Sequence, residues 1–347
     1  MSQPLWFYPL LAFVLTLGLT PLAIYYSNKK KLLDYPGERR SHDRPIPRGG
    51  GVVAVLVLLL LCEYFLFSQW GALGGLGQVS FIAFIIAVFG LGVVGYRDDH
   101  ASLSNTMKLT IQVLACAAVV LMLLAAAPAP KPATALLFFA FMAMLWLTNL
   151  YNFMDGSHGM AAGQAVFSGL LLAWFFKLNN IYPLTLLSLL LVAVSAGFIV
   201  WNFPRPRVFM GDVLSGVLGV AFSVLIVAGW LLYQLDLLLL SIVLATFVVD
   251  ATLTLMARIL SGQKWYNPHR EHAYQRLVTG GYGHVGTWLI YQALNFLLVL
   301  PVFWLAQSGR INSFSAAVFV YLLFSLLWYA VYRNQRTNNK NNINEGH

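Results

Sequence analysis

Asp98 and Asp99 stand side by side in "GYRDDH". Adjacent carboxylates repel, so such a pair needs a cation or a raised pKa. It reads as a metal ligand or a general base, or else as a solvated helix end that marks an interface. Asp212 follows a glycine in "VFMGDVLSGVLG", with Phe209 three residues before it and Arg205 and Arg207 in the adjoining "NFPRPR". The helix dipole favours a carboxylate in a first turn, and a rigid helix mouth also suits a metal ligand. "NLYNFMDGSHG" sets Asn149, Asn152, Asp155 and His158 between two apolar stretches. "KWYNPHREHAYQRL" supplies His269, Arg270, Glu271 and His272. Its His-x-x-His lacks the i, i+4 helical spacing of a zincin. Arg270, His272 and Arg276 read better as an anion-binding group, because guanidinium forks match phosphate oxygens, with Glu271 orienting an arginine.

Three further features are weaker. Pro45 to Gly51, in "DYPGERRSHDRPIPRGGG", predicts a stiff loop feeding a close backbone approach, within a basic stretch that also suits lipid headgroups. "GLGVVG" matches a dinucleotide fingerprint but lies in an apolar run with no strand before it, so close helix contact explains it better. Asp250 is a costly charge within an apolar run, either a site residue or a group hydrogen-bonded between helices.

These groups need a scaffold, and the composition identifies its class. The 347 residues are 59% hydrophobic and only 10% charged, with mean hydropathy +0.74. A soluble domain carries about 25% charged residues, so the chain reads as an all-α polytopic membrane protein. Eleven apolar runs are long enough to span, near 5–26, 50–69, 79–96, 107–127, 134–151, 162–177, 181–202, 213–234, 237–258, 286–306 and 314–332. Backbone groups in lipid must pair within a segment, so each run predicts a helix. Residues 1–332 read as one integral-membrane domain and 333–347 as a disordered, Asn-rich cytoplasmic tail. No Lys or Arg precedes the first run and Lys29, Lys30 and Lys31 follow it, which predicts that this run is retained. Cys62 and Cys116 sit inside runs and read as packing residues.

With the N-terminus outside, 18 of the 21 Lys and Arg fall on the inner side, leaving Lys131, Lys177 and Arg310 outside. That split follows the positive-inside rule and accounts for the net charge of +9 without a nucleic-acid partner. It predicts a periplasmic N-terminus and a cytoplasmic C-terminus. Asp98, Asp99, Asp155, Asp212, Glu271 and every histidine, His42, His100 and His284 included, fall on that same inner side. Carboxylates for Mg²⁺ beside Arg and His for anions point to a metal-assisted reaction on a phosphorylated substrate at the membrane surface.

In their order along the chain, "RGGG", "RDDH", "NLYNFMDG", "FMGD" and "HREHAYQRL" resemble the polyprenyl-phosphate N-acetylhexosamine-1-phosphate transferases, the superfamily of phospho-MurNAc-pentapeptide translocase. "DATLTLMARI" with "HREHAYQRL" looks most like the branch that initiates O-antigen and capsule. The resemblance implies a bacterial inner-membrane enzyme that moves sugar 1-phosphate from a UDP-N-acetylhexosamine to undecaprenyl phosphate. It releases UMP, with Mg²⁺ or alternatively Mn²⁺ as cofactor, and a homodimer is one assembly it suggests. Asp212 matches the metal-binding carboxylate and Asn152 a second metal-side ligand. Asp98, with Asp99 beside it, matches a base or an orienter of the lipid phosphate. Phe209 matches the aromatic at the nucleobase, Asp155 a nucleotide-site polar group, and His269, Arg270 and His272 the loop that grips diphosphate and sugar. His158 replaces an acidic or amide residue near the uracil in many relatives, and Leu214 replaces a glycine after "GD". A transporter or lipid flippase would instead need paired polar groups at midplane, where Glu63 and Asp250 come nearest. A scaffold that recruits polysaccharide enzymes would tolerate loss of Asp98 and Asp212.

Overall fold

Every apolar run is helical in the computed structural model, which describes residues 4–35, 44–264 and 269–344, with side chains to 334. The elements are α1 Phe7–Lys29, β1 Leu33–Asp34, β2 Ile46–Pro47, α2 Val52–Ser68, α3 Trp70–His100, α4 Asn105–Ala126 and α5 Thr134–Phe153. They continue with α6 Met160–Leu178, α7 Tyr182–Asn202, α8 Gly211–Tyr233, α9 Leu237–Ser241 and α10 Ala245–Leu260. The last are α11 Ala273–Leu277, α12 Gly283–Leu294, α13 Leu300–Gln307 and α14 Ser313–Asn344. A 3₁₀ turn at Ile242–Leu244 joins α9 to α10, and π turns at Val278–Tyr282 and Asn295–Val299 flank α12. Among the described residues ten helical segments are long and apolar enough to cross a membrane, and α2, with 17 residues, is a shorter eleventh. The chain is therefore a polytopic helical membrane protein.

Four details differ from the sequence expectation. The loop before α2 contributes a two-residue antiparallel pair, β1 with β2, a local addition to the all-α fold. The third run begins at Trp70, with Gly74 at φ +64 bending its start. The tenth begins at Ala273 through a short helix and a π turn. The final helix continues to Asn344, where a disordered tail is expected beyond 332. Nucleation is the costly step in helix formation, so a polar extension of an existing span adds turns cheaply. Arg39, Arg40, His42 and Pro268 lie outside the described residues.

Burial sorts the helices. In α8, 89% of the spanning stretch is buried, against 28% in α1 and 22% in α4 and α14, so α8 is central and those three are peripheral. The outer faces carry Phe67, Leu121, Phe139 and Leu297, all exposed, which needs an apolar solvent. Small residues bring helices onto α8. A Cβ on Gly95 of α3 would lie 2.4 Å from Val213 Cα and 2.5 Å from Asp212 O. One on Gly219 of α8 would lie 2.5 Å from Leu147 O of α5. These approaches draw the ends of α3 and α5 to the start of α8, and they support the close-contact reading of "GLGVVG".

Candidate active site

The start of α8 is held by a carboxylate from another helix. Asp99 Oδ1 accepts from the Asp212 N–H at 3.1 Å and Asp99 Oδ2 from the Val213 N–H at 3.3 Å. First-turn N–H groups have no partner within their own helix, so this satisfies two of them in trans. Gly211 makes room: it has φ +75, and a Cβ there would lie 2.3 Å from Asp99 Oδ2. Arg48 Nη2 stands 3.8 Å from Asp99 Oδ1. The "RGGG" segment carrying Arg48 runs along "VFMG": Phe209 N–H donates to Pro47 O at 2.8 Å, Gly50 N–H to Phe209 O and Gly51 N–H to Met210 O, both at 3.0 Å. The expected close backbone approach is thus made against the loop that carries Phe209.

Asp98 has a different position. Its Oδ1 accepts from the Leu103 N–H at 2.8 Å, and its Oδ2 pairs with Lys108 at the start of α4. Lys108 Nζ is also 3.7 Å from Asp212 Oδ2, so one ammonium bridges two carboxylates. Asn152 enters from the end of α5, with its Oδ1 3.2 Å from the Ser215 hydroxyl one turn beyond Asp212. Asp155 follows in the loop to α6. Loss of solvent, then the charges of Asp212 and Asp99, push its carboxyl well above the usual carboxylate range.

Of these groups Arg48, Asp155, Phe209 and Asp212 border a cavity of about 820 Å³ at one end of the bundle, while Asp98, Asp99, Lys108 and Asn152 stand outside its wall; the volume suits a nucleotide-sized ligand. Asp155, His158, Phe209, Asp212, His269 and Arg270 line the cavity, together with Arg48, Asn202, Lys264 and His284. Asn202 pins two walls together: its Oδ1 accepts from Gly159 N–H at 2.7 Å and its Nδ2 donates to Val208 O at 3.0 Å. His284 stacks on His158 with ring centroids 3.8 Å apart and approaches the Ser157 hydroxyl at 2.9 Å. His158 Nδ1 lies 3.3 Å from Pro204 O, an acceptor, so this nitrogen carries the proton.

Some sequence candidates have other positions. His272 is buried, is absent from the cavity wall, and stacks beside Phe153 and Tyr274 with its Nδ1 3.7 Å from Asp250 Oδ1. Arg276 Nε donates to Glu271 O at 2.7 Å, and its guanidinium covers the Tyr332 ring, outside the wall. Glu271 pairs with Arg258 at 2.5 Å, an arginine-orienting role as expected. His269 is on the wall, where burial, then His272 and Arg258, lower its pKa to about 4. Asp250 is hydrogen-bonded between helices, and Glu63 faces outward on α2. Lys108 is the main residue missed: its only sequence signal is one cation at the start of an apolar run after "RDDH".

Among the described residues no three His, Cys, Asp or Glu side chains converge as a metal cage. A divalent ion nonetheless fits. Asp212 and Asn152 offer hard oxygens on adjoining helix ends, with Asn152 Oδ1 3.2 Å from the Ser215 hydroxyl one turn beyond Asp212. Mg²⁺ typically takes one or two protein oxygens and completes its shell with water and substrate phosphate.

A model of the family described as Glycosyl transferase family 4 matches residues 81–230. Over 318 residues, 88% of this chain and 86% of the relative, the chain is 26% identical to a Bacillus subtilis protein named "Probable undecaprenyl-phosphate N-acetylglucosaminyl 1-phosphate transferase". Over 264 residues, 75% of this chain and 78% of the relative, it is 24% identical to a Thermotoga maritima "Undecaprenyl-phosphate alpha-N-acetylglucosaminyl 1-phosphate transferase". Over 197 residues, 50% of this chain and 58% of the relative, it is 29% identical to a Deinococcus radiodurans "Phospho-N-acetylmuramoyl-pentapeptide-transferase".

Proposed function

For a chain whose residues 81–230 match glycosyl transferase family 4, we propose membership of that family and transfer of N-acetylhexosamine 1-phosphate from a UDP-sugar to undecaprenyl phosphate at the cytoplasmic face of a bacterial inner membrane. The product lipid would initiate O-antigen, capsule or another envelope polysaccharide. One observation carries the reading: Lys108 bridges Asp98 and Asp212 where a nucleotide-sized cavity meets the helix ends.

The reaction joins two anions, so neutralisation and alignment carry most of the catalysis. An oxygen of the lipid phosphate attacks the phosphorus that bears the sugar. The bond from that phosphorus to the bridging oxygen breaks, and UMP leaves with the electron pair. Both Asp98 oxygens are already engaged, by Leu103 N–H and Lys108, so its role is to hold Lys108 and not to take a proton. An ionised phosphate needs no base. Lys108 supplies positive charge from behind Asp212, 3.7 Å from its carboxylate, and Arg48 and Arg270 supply it along the cavity wall. His269, neutral with its pKa near 4, offers a hydrogen bond to diphosphate or sugar without adding charge. Phe209 gives the base an apolar face, beside the stacked His158 and His284. Mg²⁺, when bound by Asp212 and Asn152, would supply further neutralisation of phosphate charge.

The test is UMP release by purified protein given undecaprenyl phosphate, Mg²⁺ and a panel of UDP-linked GlcNAc, QuiNAc and FucNAc, with EDTA controls. Release that depends on lipid, metal and one donor is the expected result. No release with any donor from folded protein, together with no binding of UDP, overturns the reading.

A further inference from the structure

One face of α10 carries a polar residue every fourth position: Thr246, Asp250, Thr254 and Arg258. All four are at most 7% exposed. Residues four apart share a helix face, so these make one buried stripe roughly 18 Å long within an otherwise apolar span. Buried polar groups are costly unless bonded, and a buried carboxylate is the costliest. The catalytic reading uses none of them.

The partners of the stripe identify its task. Asp250 Oδ1 accepts from the Ala273 N–H at 2.7 Å, and its Oδ2 from the Tyr274 N–H at 3.1 Å and the Tyr291 hydroxyl at 2.6 Å. It therefore caps α11 in trans, as Asp99 caps α8. Two turns further on, Arg258 Nη1 donates to Glu271 Oε1 at 2.5 Å and Nη2 to Lys264 O at 3.2 Å. Both residues hold the same segment, one on each side of His269 and Arg270. Thr254, between them, accepts from Trp328 Nε1 at 3.0 Å and lies 3.2 Å from Asp250 Oδ1. At the far end, Thr246 bonds Gln164 Oε1 at 3.1 Å. Gln164 and Ser168 also donate to Val243 O, at 3.2 and 2.7 Å, in the 3₁₀ turn where α10 begins. The stripe is thus anchored at its start and grips the loop at its end.

We infer that Asp250 and Arg258 are positioning residues that clamp Lys264 and the 271–274 stretch and so set where His269 and Arg270 meet the donor diphosphate. This rests on the proposed transferase reading for its kinetic consequence, though not for its structural one. Asp250 acts from outside the cavity wall, whereas Arg258 also borders the cavity beside Glu271. The clamp is separate from the α3–α8 end of the site, so it governs the donor and not the lipid acceptor.

The test compares wild-type, Asp250→Asn, Arg258→Gln and Tyr291→Phe full-length protein in nanodiscs. Hydrogen exchange should accelerate across 269–277 in the first two variants and remain unchanged at the start of α8. KM for the nucleotide sugar should rise on the order of tenfold while KM for the polyprenyl phosphate holds. Asp250→Asn should add little to His269→Ala, because residues acting through one another are non-additive. Tyr291→Phe removes one donor without baring a charge, so it reports the same trend more mildly if Asp250→Asn does not fold. Unchanged exchange across 269–277, or fully additive effects with His269→Ala, overturns the clamp. If wild-type protein releases no UMP, the exchange arm still decides the clamp, and only the transferase reading fails.

Discussion

Asp99 and Asp212 meet side chain to backbone, not carboxylate to carboxylate: the Asp99 carboxylate accepts the Asp212 N–H at 3.1 Å and the next N–H at 3.3 Å. The two adjacent acids of "RDDH" therefore have separate tasks. Asp99 aims the first turn of α8, while Asp98 holds Lys108 beside the Asp212 carboxylate.

Removing this cap should disturb both stability and chemistry. Loss of a helix cap costs about 0.5–2 kcal/mol, so Asp99→Ala should lower the thermal midpoint in detergent and reduce transfer together. Gly211→Ala should do the same by another route, since it adds a Cβ at φ +75 against Asp99 Oδ2. Thermal unfolding followed by tryptophan fluorescence, with UMP release on the same samples, checks both. Full activity in Gly211→Ala would show that the α8 entry tolerates displacement.

Lys108→Met should leave a folded protein with transfer reduced on the order of 10²–10³-fold, the usual cost of deleting one preorganised electrostatic partner. The loss should appear in kcat more than in UDP binding, because Lys108 is absent from the cavity wall. Steady-state kinetics with UDP titration separates the two.

Chelation and Asp212→Ala should converge. EDTA should abolish wild-type turnover reversibly, and Asp212→Ala should lose turnover without loss of folded protein and without rescue by added Mg²⁺. Near-wild-type turnover in Asp212→Ala would remove the metal assignment.

Asp155 provides a pH signature. Its folded-state pKa is raised, so the stability it contributes is present below the unfolded carboxylate pKa and declines as pH rises toward the folded value. Metal-free protein should therefore lose thermal stability as pH increases above about 4, the unfolded carboxylate value. Asp155→Asn should flatten that decline, and Mg²⁺ should oppose it in the wild type. Melting curves across pH, with and without Mg²⁺, test the sign. His269 has the opposite sense: with its pKa lowered to about 4, it stays neutral through pH 5–8 and should add no inflection there to the rate profile.

Gly95→Leu should separate α3 from α8, because its Cβ would already overlap Val213 Cα. Overpacking of this kind costs about 1–3 kcal/mol, and here it moves Asp98 and Asp99 from Asp212. Reduced stability with lost transfer is expected, read by the thermal midpoint and UMP release.

The helices were legible in the sequence because lipid imposes a one-dimensional rule: any stretch of about 20 apolar residues must satisfy its own backbone. All eleven runs are helical, and the segments between them bring Asp155, Phe209, Asp212, His269 and Arg270 to one cavity. The motifs were legible for a similar reason, since charge and amide are rare in such a chain. What each polar residue does was decided in three dimensions. Asp99, Asp250 and Arg258 bond groups 113, 23 and 13 positions away, and His272 turns inward while its neighbour His269 faces the cavity. Hydropathy reports the solvent of a segment but not which helix ends meet. Those meetings depend on contacts such as Gly95 against Val213, and only the packed bundle brings Lys108 between Asp98 and Asp212.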